Sequence, residues 1–156
     1  MQIDTLYPNI LILHSLIRWI ISILFIVSIV RWYLKRNQTG KIELLDKRLI
    51  NSFLIFVAIQ LILGFELYFR SPLVNYFLTH FSEAIHLRQP RFFGMEHSSM
   101  MLTGIILVCV GIVKSKQKET PYKTLFIYYG FAFLIIFFSI PWEFSPLTSR
   151  PLWRWF

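Results

Sequence analysis

Cysteine is almost missing from this chain, and acidic residues are few. Cys109 stands alone among 156 residues, so no intrachain disulfide and no cysteine metal cluster can form. It lies in an apolar run and is expected to be a small buried apolar side chain. Charged residues make up only 15% of the chain, against about 25% in a soluble domain. The sequence has no Gly-rich phosphate loop, nucleophile elbow, zincin signature or Cys-x-x-Cys, so nucleotide-driven and hydrolytic chemistry have little support. Arg18 is the first Lys or Arg, and Asp4 precedes it. The basic start of a cleavable signal peptide is thus missing, and the first apolar stretch is expected to stay in the mature protein.

What the chain has instead is apolar surface. Its hydrophobic fraction is 56% and its mean hydropathy +0.58, beyond the needs of a soluble core. The formal charge is +8, but the basic residues cluster between apolar runs. That pattern belongs to membrane topology rather than to nucleic-acid binding, and no nucleic-acid partner is expected.

A membrane-spanning helix needs about 20 mostly apolar residues. Four segments qualify, at about 9–34, 49–69, 93–113 and 122–140, the last stopped by Pro141. The predicted fold is therefore all-α, a single integral membrane four-helix bundle over 1–156. The first connection carries Lys35, Arg36, Lys41, Lys47 and Arg48, and the third carries Lys114, Lys116, Lys118 and Lys123. The second has only Arg70, Arg88 and Arg91. By the positive-inside rule, the first and third connections face the cytoplasm. Both termini are then periplasmic in a bacterial inner membrane, and Trp142, Trp153 and Trp155 suit an outer interfacial belt.

Between the second and third spans, Ser71-Pro72 reads as a helix start. Leu73, Val74, Phe77, Leu78, Phe81 and Ile85 recur at helical spacing, opposite Asn75, His80, Ser82, Glu83 and His86. A short amphipathic helix on the outer surface is expected, packing at the interface or covering a site as a lid. His80 and His86 fall on its wet side.

The first and third spans run in the same direction, and each carries a histidine near its start. His14 and His97 should lie at matched depth, roughly 6–8 Å below the outer helix ends. Ionisable side chains inside lipid are costly and mark functional sites. His14 shares a face with Arg18 and Ser22. His97 shares one with Met100, Met101, Gly104 and Gly111, small residues that would admit a neighbouring helix or a flat macrocycle. Two neutral imidazoles on facing helices can be the axial ligands of a b-type haem, with Arg18 or Arg91 neutralising propionates. The cofactor-binding set is then His14, His97, Arg18, Arg91 and Gly104, with no catalytic residue.

Other readings stay open. Glu66, Glu96 and Glu143 fall at the same level as the histidines and could join them in a metal site, and His97 with Met100 or Met101 could suit Cu(I). Alternatively, the polar groups satisfy one another: Glu66 with Arg70, Arg18 with Glu96, His14 with His97, and Gln60 as interhelical glue. The chain would then be a non-catalytic accessory subunit of a larger membrane complex.

The strings His14-Ser15-x-x-Arg18-Trp19, Gln60-Leu61-x-Leu63-Gly64-x-x-Leu67-Tyr68-Phe69-x-Ser71-Pro72, Arg91-Phe92-Phe93-x-x-Glu96-His97 and Ile140-Pro141-Trp142 resemble a family of small bacterial four-helix membrane proteins. That family is loosely labelled cytochrome b-like, and the resemblance covers nearly the whole chain. Where the family commonly has Pro after the Glu-His pair, this chain has Ser98. The resemblance supports the haem b reading. On that reading the chain passes electrons near the outer side of the membrane, with quinone or a membrane respiratory or secretion complex as partner.

Overall fold

The computed structural model describes residues 6–145 and Thr148. Seven helices follow one another: α1 (Leu6–Leu34), α2 (Leu44–Arg70), α3 (Pro72–Thr79), α4 (Phe81–Ala84), α5 (Arg88–Arg91), α6 (His97–Ser115) and α7 (Pro121–Ser139). A π-helical turn, Phe92–Glu96, joins α5 to α6, so the third long helix runs unbroken over Arg88–Ser115. No strand occurs among the described residues.

Four of these helices are long and apolar enough to cross a membrane: Leu6–Leu34, Leu44–Arg70, Arg88–Ser115 and Pro121–Ser139. Large apolar side chains on their outer faces are exposed, among them Ile23, Ile55, Ile62, Ile106 and Phe131. Apolar side chains all round a helix suit a bundle bathed in lipid. Cys109 also lies on an exposed face of α6, not in the core as expected. All four helices begin before the residues marked by the apolar runs. Leu44 and Arg88 start the second and third a full turn early, because hydropathy locates the apolar stretch and not the helix cap.

Two helical hairpins, α1–α2 and α6–α7, pack together along α1 and α7. Close approach within the second hairpin depends on glycine. A Cβ on Gly104 would stand 2.5 Å from Ile136 Cγ1, and one on Gly111 would stand 2.4 Å from Tyr128 Cβ. Of the two neighbours that the small-residue stripe could admit, the structure supplies the helix, so Gly104 faces α7. At the lysine-rich end the connecting loops touch. Gly40 takes φ 101°, which favours glycine, and its N–H donates to the Glu119 carbonyl at 3.1 Å.

The main core cluster is densest toward this end of the bundle. Phe25 and Trp32 of α1, Phe53 of α2, Val108 of α6, and Leu125 and Tyr129 of α7 are fully buried there. Trp32 meets Tyr129 edge-on with ring centroids 4.4 Å apart, and Phe25 meets Phe53 at 4.5 Å.

The second connection departs from the expected amphipathic helix. Ser71 caps α3 as predicted, its hydroxyl accepting from Val74 N–H at 3.5 Å, with Pro72 in the first turn. Val74 and Phe77 are buried, but His80 leaves helical geometry (φ −127°, ψ 48°) and ends the helix. Phe81 therefore starts a new turn; its ring still meets Phe77 edge-on at 5.3 Å, but both Leu78 and Phe81 are exposed.

Candidate functional site: a histidine-walled cavity

The end of the bundle away from this dense core holds a cavity of about 550 Å³. That volume is within the usual range of roughly 300–1,000 Å³ for small-molecule and cofactor sites. All four long helices wall it, and Ser71, Leu73 and Val74 at the start of α3 close one side. His14, Ser15, Arg18 and Ser22 of α1, Gln60, Gly64 and Tyr68 of α2, and His97 and Met101 of α6 supply the polar and adaptable lining. Apolar side chains such as Leu61, Ile105, Phe133 and Ile136 make up most of the rest.

His97 is held by the end of α7. Helix α7 stops because Pro141 has no N–H to give the Phe137 carbonyl. The Trp142 indole Nε1–H donates to that carbonyl instead, at 2.8 Å. Past the stop, the Ser139 carbonyl is free of helix bonding, and His97 Nδ1 lies 2.8 Å from it. A carbonyl only accepts, so Nδ1 carries the proton and the Nε2 lone pair is left for another partner.

The turn before His97 is the π segment. Its widened backbone is met by Tyr68, whose hydroxyl donates to the Gly94 carbonyl at 2.8 Å. Gly94 lies flat against Phe77 of α3, where a Cβ would stand 2.4 Å from the ring. The added residue in this turn resets the helical register and so fixes the direction in which His97 projects.

His14 is held less fully. Gln60 Nε2 donates to the His14 backbone carbonyl at 3.0 Å, while the His14 side-chain Nδ1 is buried without a hydrogen-bond partner among the described residues. Gln60 Oε1 is likewise buried and unpartnered among them. A Cβ on Gly64 would stand 3.4 Å from His14 Cε1, so the bare glycine backs directly onto the imidazole. Arg18 forms a triangle with two indoles, its guanidinium carbon 5.3 Å from the centroids of Trp19 and Trp142, which are themselves 5.5 Å apart. Trp142 is buried in that stack and does not face an interfacial belt, because its ring covers the cation and its N–H caps α7. Trp153 and Trp155 lie outside the described residues.

The predicted residues are partly brought together. His14, His97 and Arg18 line one cavity. The histidines stand eight residues after Leu6 and nine after Arg88, so their matched position along parallel helices persists. Both sit roughly 12–14 Å from the helix starts, twice the expected depth, because both helices begin earlier. Arg91 and Gly104 lie outside the lining. Arg91 binds Glu96 at 2.7 Å and donates to the Ile85 carbonyl, which takes Glu96 away from Arg18. Glu66 pairs with Arg70 at 2.9 Å on an exposed face. The carboxylates thus do not converge on the histidines, and no group of three or more His, Cys, Asp or Glu residues suited to a metal exists among the described residues.

A second polar cluster, missed at the level of sequence, closes the opposite end. Asp46 is fully buried and binds Arg31 and Lys35, the latter at 3.0 Å. The Tyr122 hydroxyl donates to Asp46 at 3.1 Å and accepts from the Glu43 backbone N–H at 3.0 Å. Glu43 adds a contact to Lys35 at 2.6 Å and to Arg31 at 3.5 Å. The sign was two acidic residues, Glu43 and Asp46, among the basic ones after the first span, together with Arg31 one helical turn before Lys35.

No family model matches the chain, and neither a curated protein nor a solved structure matches it significantly.

Proposed function

We propose that the protein is a b-type haem carrier for electron transfer in a bacterial inner membrane, with His14 and His97 as axial ligands. The observation that carries this reading is the His97 Nδ1–Ser139 hydrogen bond. Metal-ligating histidines characteristically donate their second ring N–H to such an acceptor, which fixes tautomer and ring direction. His14, on the same cavity, has no side-chain bond at Nδ1 to commit its ring to a structural role. The other walls fit a flat macrocycle: glycine behind one imidazole, mostly apolar lining, and the Arg18 cation at the Trp142 side for propionates. Haem iron bound there would supply a one-electron couple, and the protein would supply ligand geometry, a dry environment and charge neutralisation. The basic loops meet at the opposite end of the bundle, which supports a periplasmic side for the cavity end.

The test is a reduced-minus-oxidised absorption spectrum of protein purified with haem available. A sharp low-spin b-haem band is expected, and it should vanish in His14→Ala and in His97→Ala. A colourless protein would sink the reading.

One observation favours a second reading, an accessory subunit of a larger membrane complex. Leu78 and Phe81 are exposed just outside the long helices. Co-purification with a partner that Leu78→Glu and Phe81→Glu abolish, in a protein tolerant of His14→Gln, would support it.

A further inference from the structure

The cavity is walled by four helices but not enclosed by them. α1 packs on α2 and α7, and α7 packs on α6. Among the described residues, α2 and α6 form no packed pair, although residues from both line the cavity. The gap between them is marked by side chains that both line the cavity and stand exposed: Phe65 (48%) and Phe69 on α2, and Leu102 (39%) on α6. In a bundle bathed in lipid, an exposed side chain on a long helix faces acyl chains rather than water. The cavity's polar groups, Gln60 Oε1 among them, lie behind that apolar rim.

We infer that the gap between α2 and α6 is a lateral portal, through which a flat amphiphilic ring compound dissolved in the bilayer reaches the histidine-walled cavity. An apolar rim admits ring faces and tails, while the groups behind it select a polar edge. Buried Gln60 Oε1 accepts a hydroxyl, His97 Nε2 presents a lone pair, and Arg18 attracts an anionic or carbonyl substituent. A haem and a quinone share this chemistry. The inference rests on the haem reading only for the identity of the ring, since the route depends on where the wall is open.

The test uses the full chain in phosphatidylcholine liposomes and an azido-naphthoquinone carrying an isoprenoid tail. Photolabelling should concentrate on the α2 and α6 residues at the gap. A tailless, water-soluble azidoquinone should label about tenfold less. Leu102→Trp and Phe65→Trp, which narrow the rim, should cut labelling by a similar factor. Ile106→Trp, one turn further along the lipid-facing side of α6, is the matched control and should leave it unchanged. Labelling spread evenly over lipid-facing positions such as Ile23 and Phe131 would overturn the portal. So would equal labelling by the tailless probe, or labelling indifferent to both rim variants. Protein that labels through the gap but shows no haem band keeps the portal and removes the haem reading. Protein that shows the haem band when haem is supplied, but fails the labelling pattern when prepared free of haem, does the reverse.

Discussion

The two ends of the bundle hold a buried titratable side chain in different ways. At the lysine-rich end, Asp46 is fully buried and surrounded by Arg31, Lys35 and the Tyr122 hydroxyl, which itself bonds the Glu43 backbone. At the other end, His14 Nδ1 and Gln60 Oε1 are buried with no partner among the described residues. A buried ionic cluster survives only when its members satisfy one another, and removing one member strands the rest. An unpartnered buried polar atom costs about 1–3 kcal/mol, and among the described residues Ser28 Oγ, Trp32 Nε1 and Tyr129 Oη in the packed half carry that cost too, so what sets His14 and Gln60 apart is the open cavity beside them. The first end locks the helices together. The second leaves a cavity open beside its histidines.

The contrast can be broken most severely at the locked end. Asp46→Ala leaves Arg31 and Lys35 with only the exposed Glu43 carboxylate as counter-charge. It should destabilise the fold by about 3–5 kcal/mol, read as a loss of thermal and detergent resistance. His14→Ala should do the opposite, leaving the melting temperature nearly unchanged while abolishing ring binding. If both variants melt alike, the division of labour between the two ends fails.

Next in size is a comparison of two glycines near the histidines. Gly94→Ala drives a methyl into the Phe77 ring, at 2.4 Å, and should cost about 1–3 kcal/mol. Gly64→Ala meets His14 Cε1 at 3.4 Å, an ordinary contact, and should cost under about 1 kcal/mol. Its effect should appear in occupancy of the cavity, as weakened haem or quinone binding. Thermal melting and ligand titration of the same two samples separate these outcomes.

Tyr122→Phe removes one donor to Asp46 and one acceptor for the Glu43 N–H. About 1–3 kcal/mol of stability should be lost, with the cavity's absorption spectrum unaffected. The smallest effect belongs to Glu66→Gln. Its partner Arg70 is exposed and only one turn away, and such pairs contribute about 0.2–0.5 kcal/mol. A melting shift as large as that of Tyr122→Phe would mean that this surface is covered by another chain.

Much of the architecture was legible because it is written in local composition. Four apolar runs mark four long helices, and lysine and arginine between them mark two loops that do meet at one end. Parallel first and third helices then follow, which is why His14 and His97 could be paired before any coordinates. Arg18 came with them through its i+4 spacing. Other features depend on contacts that spacing along one helix does not encode. Gly104 lies on the same face as His97 in an ideal helix, yet α7 occupies that face. Arg91 sits at the right level, but the π turn brings it to Glu96. The Ser139 carbonyl could have been suspected from Pro141, since a proline two residues on ends the helix and leaves carbonyls in need of donors. Which donor answers is a matter of tertiary packing, as are Gly64 behind His14 and Tyr68 on Gly94.

The bond between His97 and the end of α7 has a consequence beyond orientation. An electron-withdrawing partner on Nε2 makes the Nδ1–H a better donor, so filling the cavity tightens the cap on the Ser139 carbonyl. Occupancy and fraying of α7 are therefore thermodynamically linked. A ligand present at about 100 times its dissociation constant adds about 2.7 kcal/mol to the folded state. Part of that gain should be felt where the chain leaves the helix. The backbone amides of Ile140 and Trp142, bonded to Ile136 and Ile140 carbonyls at 3.1 and 2.8 Å, are the local reporters. Their hydrogen exchange should slow when the cavity fills, and that slowing should be lost in His97→Ala.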